Sequence, residues 1–179
     1  ASTLPRLRPF RDFLHWLGRQ DTNATARAWA AELAGVREPT LLLPDALSGP
    51  DGLRAADRTG IGQVDVGLSP DEARELSRRA AELGVTVNTL VQGAWGVLLG
   101  QLTGRQDVVF GATVSGRPPQ VPGSDAMVGM FINTLPVRVG CAPGTPLAQV
   151  LTTLQERQAA LLDHHHQGLT ELHQTLGVP

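Results

Sequence analysis

The hydrophobic periodicity of this chain switches between the helical and the extended repeat, and this alternation constrains the fold more than any other feature. A helix is predicted to begin at Pro70, because Ser69 can cap it and Glu72 completes a capping box. Strands are predicted over residues 107–114 and 132–139, and a long helix follows the second of them. Helices interleaved with strands indicate an α/β sandwich, in which helices pack on a mixed sheet.

The helix predicted over residues 88–102 carries apolar side chains on nearly all of its faces, so we expect it to be buried. It also contains three glycines, each of which costs about 1 kcal/mol relative to alanine in a helix. Close approach by the backbone of a neighbouring element would explain them. The remaining elements are short helices over residues 10–17, 24–33 and 169–176, a strand over residues 63–68, and a loop over residues 45–62.

Composition excludes several classes of function. The chain has 179 residues, which suits one domain or a large piece of one, and its net charge of −2 gives no reason to expect nucleic acid. Its single cysteine, Cys141, rules out an internal disulfide or a cysteine-built zinc site, and favours the cytoplasm. No apolar run approaches the roughly 18 residues of a membrane span. The lack of lysine removes P-loop and Schiff-base mechanisms, and the lack of an initiator methionine suggests a piece of a longer polypeptide.

Asn133 lies on the same face of its predicted strand as Leu135, Val137 and Val139. An amide on an apolar face must find partners or lose about 1–3 kcal/mol. Two interpretations follow. Asn133 either is a structural residue satisfied by a nearby backbone turn, or it lies at the mouth of a cavity and binds an amide-bearing substrate. Pro136 indicates that this part of the strand is an edge or a bulge.

Two further groups of residues allow a functional and a structural interpretation. Arg117 follows a tight turn at Gly116, and its guanidinium suits a phosphate as well as it suits a surface ion pair. The run His164-His165-His166 lies near the end of a helix, where histidines meet the helix dipole favourably. Consecutive helical residues point about 100° apart, so the three cannot face one metal ion, although one of them could act as a general base.

Several segments, in order along the chain, resemble the motifs of one family. The run Phe10-Arg11-Asp12-Phe13-Leu14-His15-Trp16 resembles an aromatic-x-Asp-aromatic-x-x-Trp motif, and residues 102–117 resemble a T-G-x-x-D-V-x-x-G…G-R segment. Most specific is Val128-Gly129-Met130-Phe131-Ile132-Asn133-Thr134-Leu135-Pro136-Val137-Arg138, which is close to [VI]-G-x-F-V-N-T-x-x-x-R. The run His164-His165-His166-Gln167-Gly168-Leu169-Thr170-Glu171 is similar to a variant of the family's sixth motif. Together they resemble the C-terminal half of a condensation domain of non-ribosomal peptide synthetases.

This resemblance implies a chloramphenicol-acetyltransferase-like sandwich, the C-terminal subdomain of a two-subdomain enzyme. Residues 1–60 would hold the inter-subdomain linker and the first helices, and residues 61–179 the subdomain itself. The family joins a donor acyl thioester to an acceptor aminoacyl thioester, both held on phosphopantetheine arms of carrier proteins, and no cofactor is bound directly. The implied partners are the N-terminal subdomain, the upstream and downstream peptidyl carrier proteins and an adenylation domain, with neither nucleic acid nor membrane.

The resemblance also assigns expected roles to individual residues. No catalytic residue is expected in this segment, because the family's H-H-x-x-x-D-G motif is absent and would lie upstream. No metal ligand is expected either. The residues expected to line the substrate tunnel are Asn133, Thr134, Phe131, Gly129, Met130, Ser115, Gly116 and Arg117. Interface or structural roles are expected for Asp12, Trp16, Arg138 and His166.

Other functions remain open at the level of sequence. The chain could belong to a catalytically inactive relative that recruits tailoring enzymes, or to an epimerisation or cyclisation domain. The Asn133-Thr134 pair follows the condensation form of the motif rather than the epimerisation form. A standalone chloramphenicol-type acyltransferase fits least, because the chain has no H-x-x-x-D motif.

Overall fold

The computed structural model describes residues 7–42 and 64–177. The loop predicted over residues 45–62 and the domain boundary predicted between residues 60 and 61 lie outside the described residues. The described chain forms two compact units. Unit 1 holds residues 7–38, 110–137 and 157–177, and unit 2 holds residues 39–42, 64–109 and 138–156.

Unit 1 contains two N-terminal helices, α1 (Arg11–Leu17) and α2 (Thr22–Glu32). The side chain of Asp21 caps α2 by accepting a hydrogen bond from the Ala24 N–H at 2.9 Å. Both helices confirm the prediction from periodicity. The buried core of this unit includes an aromatic cluster around Phe13 and Phe131, whose ring centroids lie 4.8 Å apart.

Unit 2 contains α3 (Pro70–Glu82) and α4 (Val87–Thr103), which pack against each other. The capping box predicted at the start of α3 is present, with Ser69 and Glu72 bonded in both directions. On the exposed face of α3, Arg78 and Arg79 hold the pKa of Glu75 at about 2. Both predicted helices are therefore confirmed: α3 begins at the predicted residue, and each end of α4 lies one residue beyond the prediction.

The sheet consists of two antiparallel strands, β1 (Asp107–Ser115) and β2 (Ile132–Gly140). The Gly116 N–H donates to the Phe131 carbonyl at 2.7 Å and the Cys141 N–H to the Gln106 carbonyl at 2.6 Å, so the register is the same at both ends. Helix α5 (Leu147–Ala160) follows β2, and α6 (Leu169–Leu176) ends the described chain. The predicted α/β class is confirmed.

The sheet is smaller and simpler than the sequence predicts. Within the described residues it has two antiparallel strands rather than a mixed set, and residues 64–68 do not form the predicted strand. That segment precedes α3 with Val64 and Val66 more than four-fifths exposed. An alternating pattern favours extended backbone, but a strand also requires a hydrogen-bonded neighbour, which a local pattern cannot supply.

Helix α4 is not buried on all faces as predicted. Its glycines face inward: a Cβ at Gly96 would lie 2.6 Å from the side chain of Val139, and one at Gly93 would overlap Leu151. Five of its large apolar residues are 39–61% exposed on another face, namely Val87, Val91, Trp95, Leu98 and Leu102, whereas Leu99 is buried. The small residues let the helix approach its neighbours closely, while these five bulky side chains face outward.

Within the described ranges, no single helix is both long and apolar enough to cross a membrane. Helices α3 and α4 meet these two criteria only when taken together, and they bend by 94° at the break between them.

Candidate functional site

Asn133 has the position in β2 that the two-residue repeat predicts. Leu135, Val137 and Val139 are buried on its face of the strand, and Asn133 itself is half-buried near the start of the strand. The alternation places the amide beside the apolar face of the sheet, where its polar atoms require partners.

The amide of Asn133 finds these partners in a backbone turn after α5. Its Nδ2 donates to the carbonyl oxygens of His165 at 2.9 Å and Gln167 at 2.7 Å, and its Oδ1 accepts from the Thr134 N–H at 2.9 Å. Both protons of the amide are therefore used. This geometry matches the structural interpretation, because Asn133 holds the turn of residues 163–167 in place. We call this segment the histidine turn. Contact with a substrate stays a prediction.

Two residues on α2 hold the histidine turn from another side. The Trp29 indole N–H donates to the His164 carbonyl at 3.2 Å, and the hydroxyl of buried Thr25 lies 3.0 Å from His164 Nδ1 and 3.4 Å from His166 Nε2. Sequence reasoning missed Thr25. The available signal was its spacing of four residues from Trp29, which puts both side chains on one face of the helix.

The histidine turn forms one wall of a cavity of about 240 Å³ in unit 1. Five of the residues predicted for tunnel or interface roles line it, namely Trp16, Ser115, Gly116, Arg117 and His166. The other lining residues are Pro118, Pro119, Gln120, Leu162, Asp163 and His165. Apolar atoms make up most of the surface of the wall, although six of the eleven lining residues carry polar or charged side chains, and such a mixture can orient a small molecule. We call this cavity the histidine pocket.

Gly116 is required where β1 ends at the pocket. A Cβ there would collide with the carbonyl oxygen of Phe131, the acceptor of the Gly116 N–H. The next residue, Arg117, donates to the carbonyls of Ser124 and, at 3.1 Å, Met127. Its guanidinium also lies 4.1 Å from the centre of the Phe131 ring. Arg117 therefore stabilises the loop that follows it. The sequence allows phosphate binding or a surface ion pair for Arg117, and neither includes this role.

Besides Asn133, four residues predicted for the tunnel do not line the histidine pocket. Phe131 is buried in the aromatic cluster, and Gly129 lies against the ring of Phe10, where a Cβ would collide. Met130 is 81% exposed and Thr134 is exposed. Met130 therefore belongs to an open surface of the described chain, and its role in a tunnel stays a prediction.

Of the residues predicted for interface or structural roles, two form ion pairs. In unit 2, the Arg138 guanidinium binds the Asp107 carboxylate with two contacts, Nε to Oδ1 at 2.9 Å and Nη2 to Oδ2 at 2.7 Å. In unit 1, Asp12 lies 3.9 Å from Arg8, one turn earlier along the chain. The bidentate pair joins β1 to β2 and is structural.

Two histidines of the pocket wall favour the neutral form. Burial lowers the pKa of His165, and the neighbouring imidazoles lower it further. Burial also lowers the pKa of His166, against the opposing effect of its bond to the Asp163 carbonyl. No group of three or more side chains in the described residues could hold a metal ion. The site therefore offers neutral imidazole next to apolar and aromatic surface.

Comparison with known proteins gives consistent matches. The family model for the condensation domain matches residues 1–179. One of the proteins that make up linear gramicidin synthase in Brevibacillus parabrevis is 38% identical over 180 residues, which is 98% of this chain but 2% of that protein. The chain therefore spans a small part of the length of this relative.

Two solved structures have a similar fold. The first condensation domain of the CDA synthetase matches with a TM-score of 0.69 at 24% identity, over 92% of this chain and 34% of that one. The X-domain from teicoplanin biosynthesis matches with a TM-score of 0.70 at 23% identity, over 94% of this chain and 36% of that one.

Proposed function

Because the chain belongs to the condensation domain family, we propose that it forms part of a domain that makes a peptide bond between two carrier-bound substrates. The donor is an acyl thioester and the acceptor an aminoacyl thioester, each held on the phosphopantetheine arm of a carrier protein. This segment contributes a wall of the substrate tunnel and a docking surface for the carriers. We assign no catalytic residue to it.

One observation carries the proposal. Residues from four separate motif-like segments meet at the histidine pocket or hold it together: Trp16, the Ser115–Arg117 run, Asn133 and the histidine turn. These segments are far apart in sequence, and packing of the core alone does not require all four to converge on one cavity. Convergence of this kind is expected where substrate is bound.

The chemistry requires orientation more than acid strength. The acceptor amine attacks the thioester carbonyl carbon, the C–N bond forms, the C–S bond breaks, and the thiol of the donor arm leaves with the proton that the amine loses. Holding two tethered reactants together supplies about 7–11 kcal/mol of the barrier reduction. The lowered pKa values of His165 and His166 suit this reaction, since the attacking amine must also be uncharged.

The partners follow from the same proposal. An N-terminal condensation subdomain supplies the catalytic histidine motif, upstream and downstream peptidyl carrier proteins deliver the substrates, and an adjacent adenylation domain loads the acceptor. We place the assembly in the cytoplasm. The match to several peptide synthases at above 30% identity supports a peptide-forming enzyme over a recruiting domain.

The experiment is a pocket-filling substitution in the complete synthetase. Ser115→Trp places an indole at the pocket, and Ser77→Trp introduces the same change at an exposed position on α3. Both variants are given loaded carriers, and the formation of dipeptidyl thioester is followed by mass spectrometry. Ser115→Trp should abolish most of the product while adenylation and carrier loading continue. Equal product from both variants would remove the histidine pocket from the proposal.

A further inference from the structure

The hydroxyl of Thr25 lies between two imidazoles of the histidine turn. It lies 3.0 Å from Nδ1 of His164 and 3.4 Å from Nε2 of His166, and Thr25 is 1% exposed. The second nitrogen of His166, Nδ1, lies 3.0 Å from the carbonyl oxygen of Asp163. These three contacts form a continuous chain of four polar groups.

Counting the protons in this chain fixes the direction of every bond. A carbonyl oxygen only accepts, so His166 Nδ1 must carry a proton. In a neutral ring Nε2 is then an acceptor, so the Thr25 hydroxyl must donate to it. The hydroxyl has a single proton, which this bond to His166 uses. Toward His164 its oxygen can therefore only accept, so His164 Nδ1 must also be protonated.

We propose that Thr25 is a positioning residue of the histidine pocket. The Asp163 carbonyl holds His166 in the Nδ1–H tautomer, and the Thr25 hydroxyl, by donating to His166 Nε2, orients this ring of the pocket wall and fixes His164 in the Nδ1–H tautomer as well. The importance of this orientation for condensation rests on the proposed function. The tautomers themselves do not, because they follow from the contacts within unit 1. Asn133 complements Thr25 by holding the backbone of the same turn.

The same contacts also determine what happens when His166 gains a second proton. When His166 is charged, its Nε2 carries a proton and must donate to the Thr25 oxygen. The Thr25 hydroxyl then points its own proton at His164 Nδ1. That nitrogen becomes an acceptor, so His164 changes to the Nε2–H tautomer. Asp163 and Glu171 favour the charged form of His166, while burial and the neighbouring His164 disfavour it. Arg117 also lines the pocket. One proton on His166 thus changes both rings.

The first test reads the tautomers directly in the 179-residue chain by long-range ¹H–¹⁵N correlation of the histidine side chains. At neutral pH, His164 and His166 should both give the Nδ1–H pattern. Thr25→Val, which keeps the shape and removes the hydroxyl, should lose this pattern at His164, and Thr25→Ser should retain it. An Nε2–H pattern in the original chain, or an unchanged pattern in Thr25→Val, overturns the inference.

The second test measures condensation in the complete synthetase. Thr89→Val is a matched control, because Thr89 is equally buried and its hydroxyl donates to Gln155 at 2.6 Å on α5. Thr25→Val should lower the condensation rate by between about tenfold and about a hundredfold, the size expected of a small misplacement. Thr25→Ser should restore the rate, and Thr89→Val should not lower it.

The outcomes of the two tests are independent of each other. Predicted tautomers with an unchanged rate in Thr25→Val would overturn the role of Thr25 in the pocket and leave the bonding intact. Wrong tautomers would overturn the inference even if the pocket-filling substitution at Ser115 abolishes condensation, in which case the proposed function stands.

Discussion

At the scale of single residues, Asn133 shows why spacing predicted a position but not a role. The two-residue repeat correctly put its amide on the buried face of β2. The partners are the carbonyls of His165 and Gln167, more than thirty residues away in sequence, so no local pattern could identify them. Thr25 escaped detection for the same reason, since its partners lie about 140 residues further along the chain.

The bonds of Asn133 predict a specific loss of stability. Asn133→Ala removes two donors to carbonyls and should lower the free energy of unfolding by about 1–3 kcal/mol. Asn133→Asp should cost more, because a carboxylate would then face two carbonyl oxygens. Urea unfolding measures both, with Asn88→Asp at the exposed start of α4 as the control. A control that loses as much stability as Asn133→Asp would contradict this role.

At the scale of elements, features set by neighbours in sequence were predicted correctly, whereas features set by tertiary contacts were not. The start of α3 was predicted correctly because a capping box involves only neighbours in sequence. The burial of α4 was predicted wrongly because periodicity gives the faces of a helix but not what covers them. The segment of residues 64–68 failed as a strand for a related reason, since the pairing of a strand is a property of two segments.

The cap of α3 gives the first prediction for an element. Ser69→Ala removes the hydroxyl that accepts from the Glu72 N–H and should cost about 1 kcal/mol. Ser69→Asp, which retains an acceptor, should restore most of the loss. The measurement is the midpoint of urea unfolding. A loss in Ser69→Asp as large as that in Ser69→Ala would show that the cap contributes nothing measurable.

The close packing of α4 gives the second prediction for an element. A methyl group at position 96 would lie 2.6 Å from Val139, so the Val139 side chain must move to accommodate Gly96→Ala. Overpacking of this kind typically costs about 1–3 kcal/mol, which exceeds the usual gain from replacing glycine in a helix. Gly67→Ala, where nothing lies within 4 Å, is the matched control. If Gly96→Ala stabilises the chain, the proposed close approach is wrong.

At the scale of the whole molecule, the order of helices and strands predicted the α/β class and the motifs predicted the family, and both are confirmed. Five predicted residues line one cavity, but the sequence could not define that cavity, because its walls come from three distant segments. The fold of the described chain thus follows from local patterns, while its site depends on tertiary contacts.

Acid should destabilise the whole chain. His165 and His166 have lowered pKa values when folded, so below the ordinary histidine value of about 6.5 the unfolded chain binds more protons than the folded chain. The free energy of unfolding should therefore fall as the pH drops from about 6.5 toward the folded values. The Glu75 carboxyl, with its pKa of about 2, loses its contribution only at much lower pH. Urea unfolding between about pH 8 and about pH 5 measures the slope. The double substitution His165→Asn and His166→Asn should flatten it, and an equally steep slope in that variant would contradict the assignment.

The central claim is that the histidine pocket receives the arm of a carrier protein. In the complete synthetase, Ser115→Cys is combined with Cys141→Ser, which removes the half-exposed natural thiol. The variant is exposed to carrier protein whose phosphopantetheine thiol is activated as a mixed disulfide, so that exchange traps the arm wherever it reaches a cysteine. The account predicts a cross-link at position 115 and none with Ser77→Cys on the exposed face of α3. Equal cross-linking at both positions, or none at position 115, would contradict it.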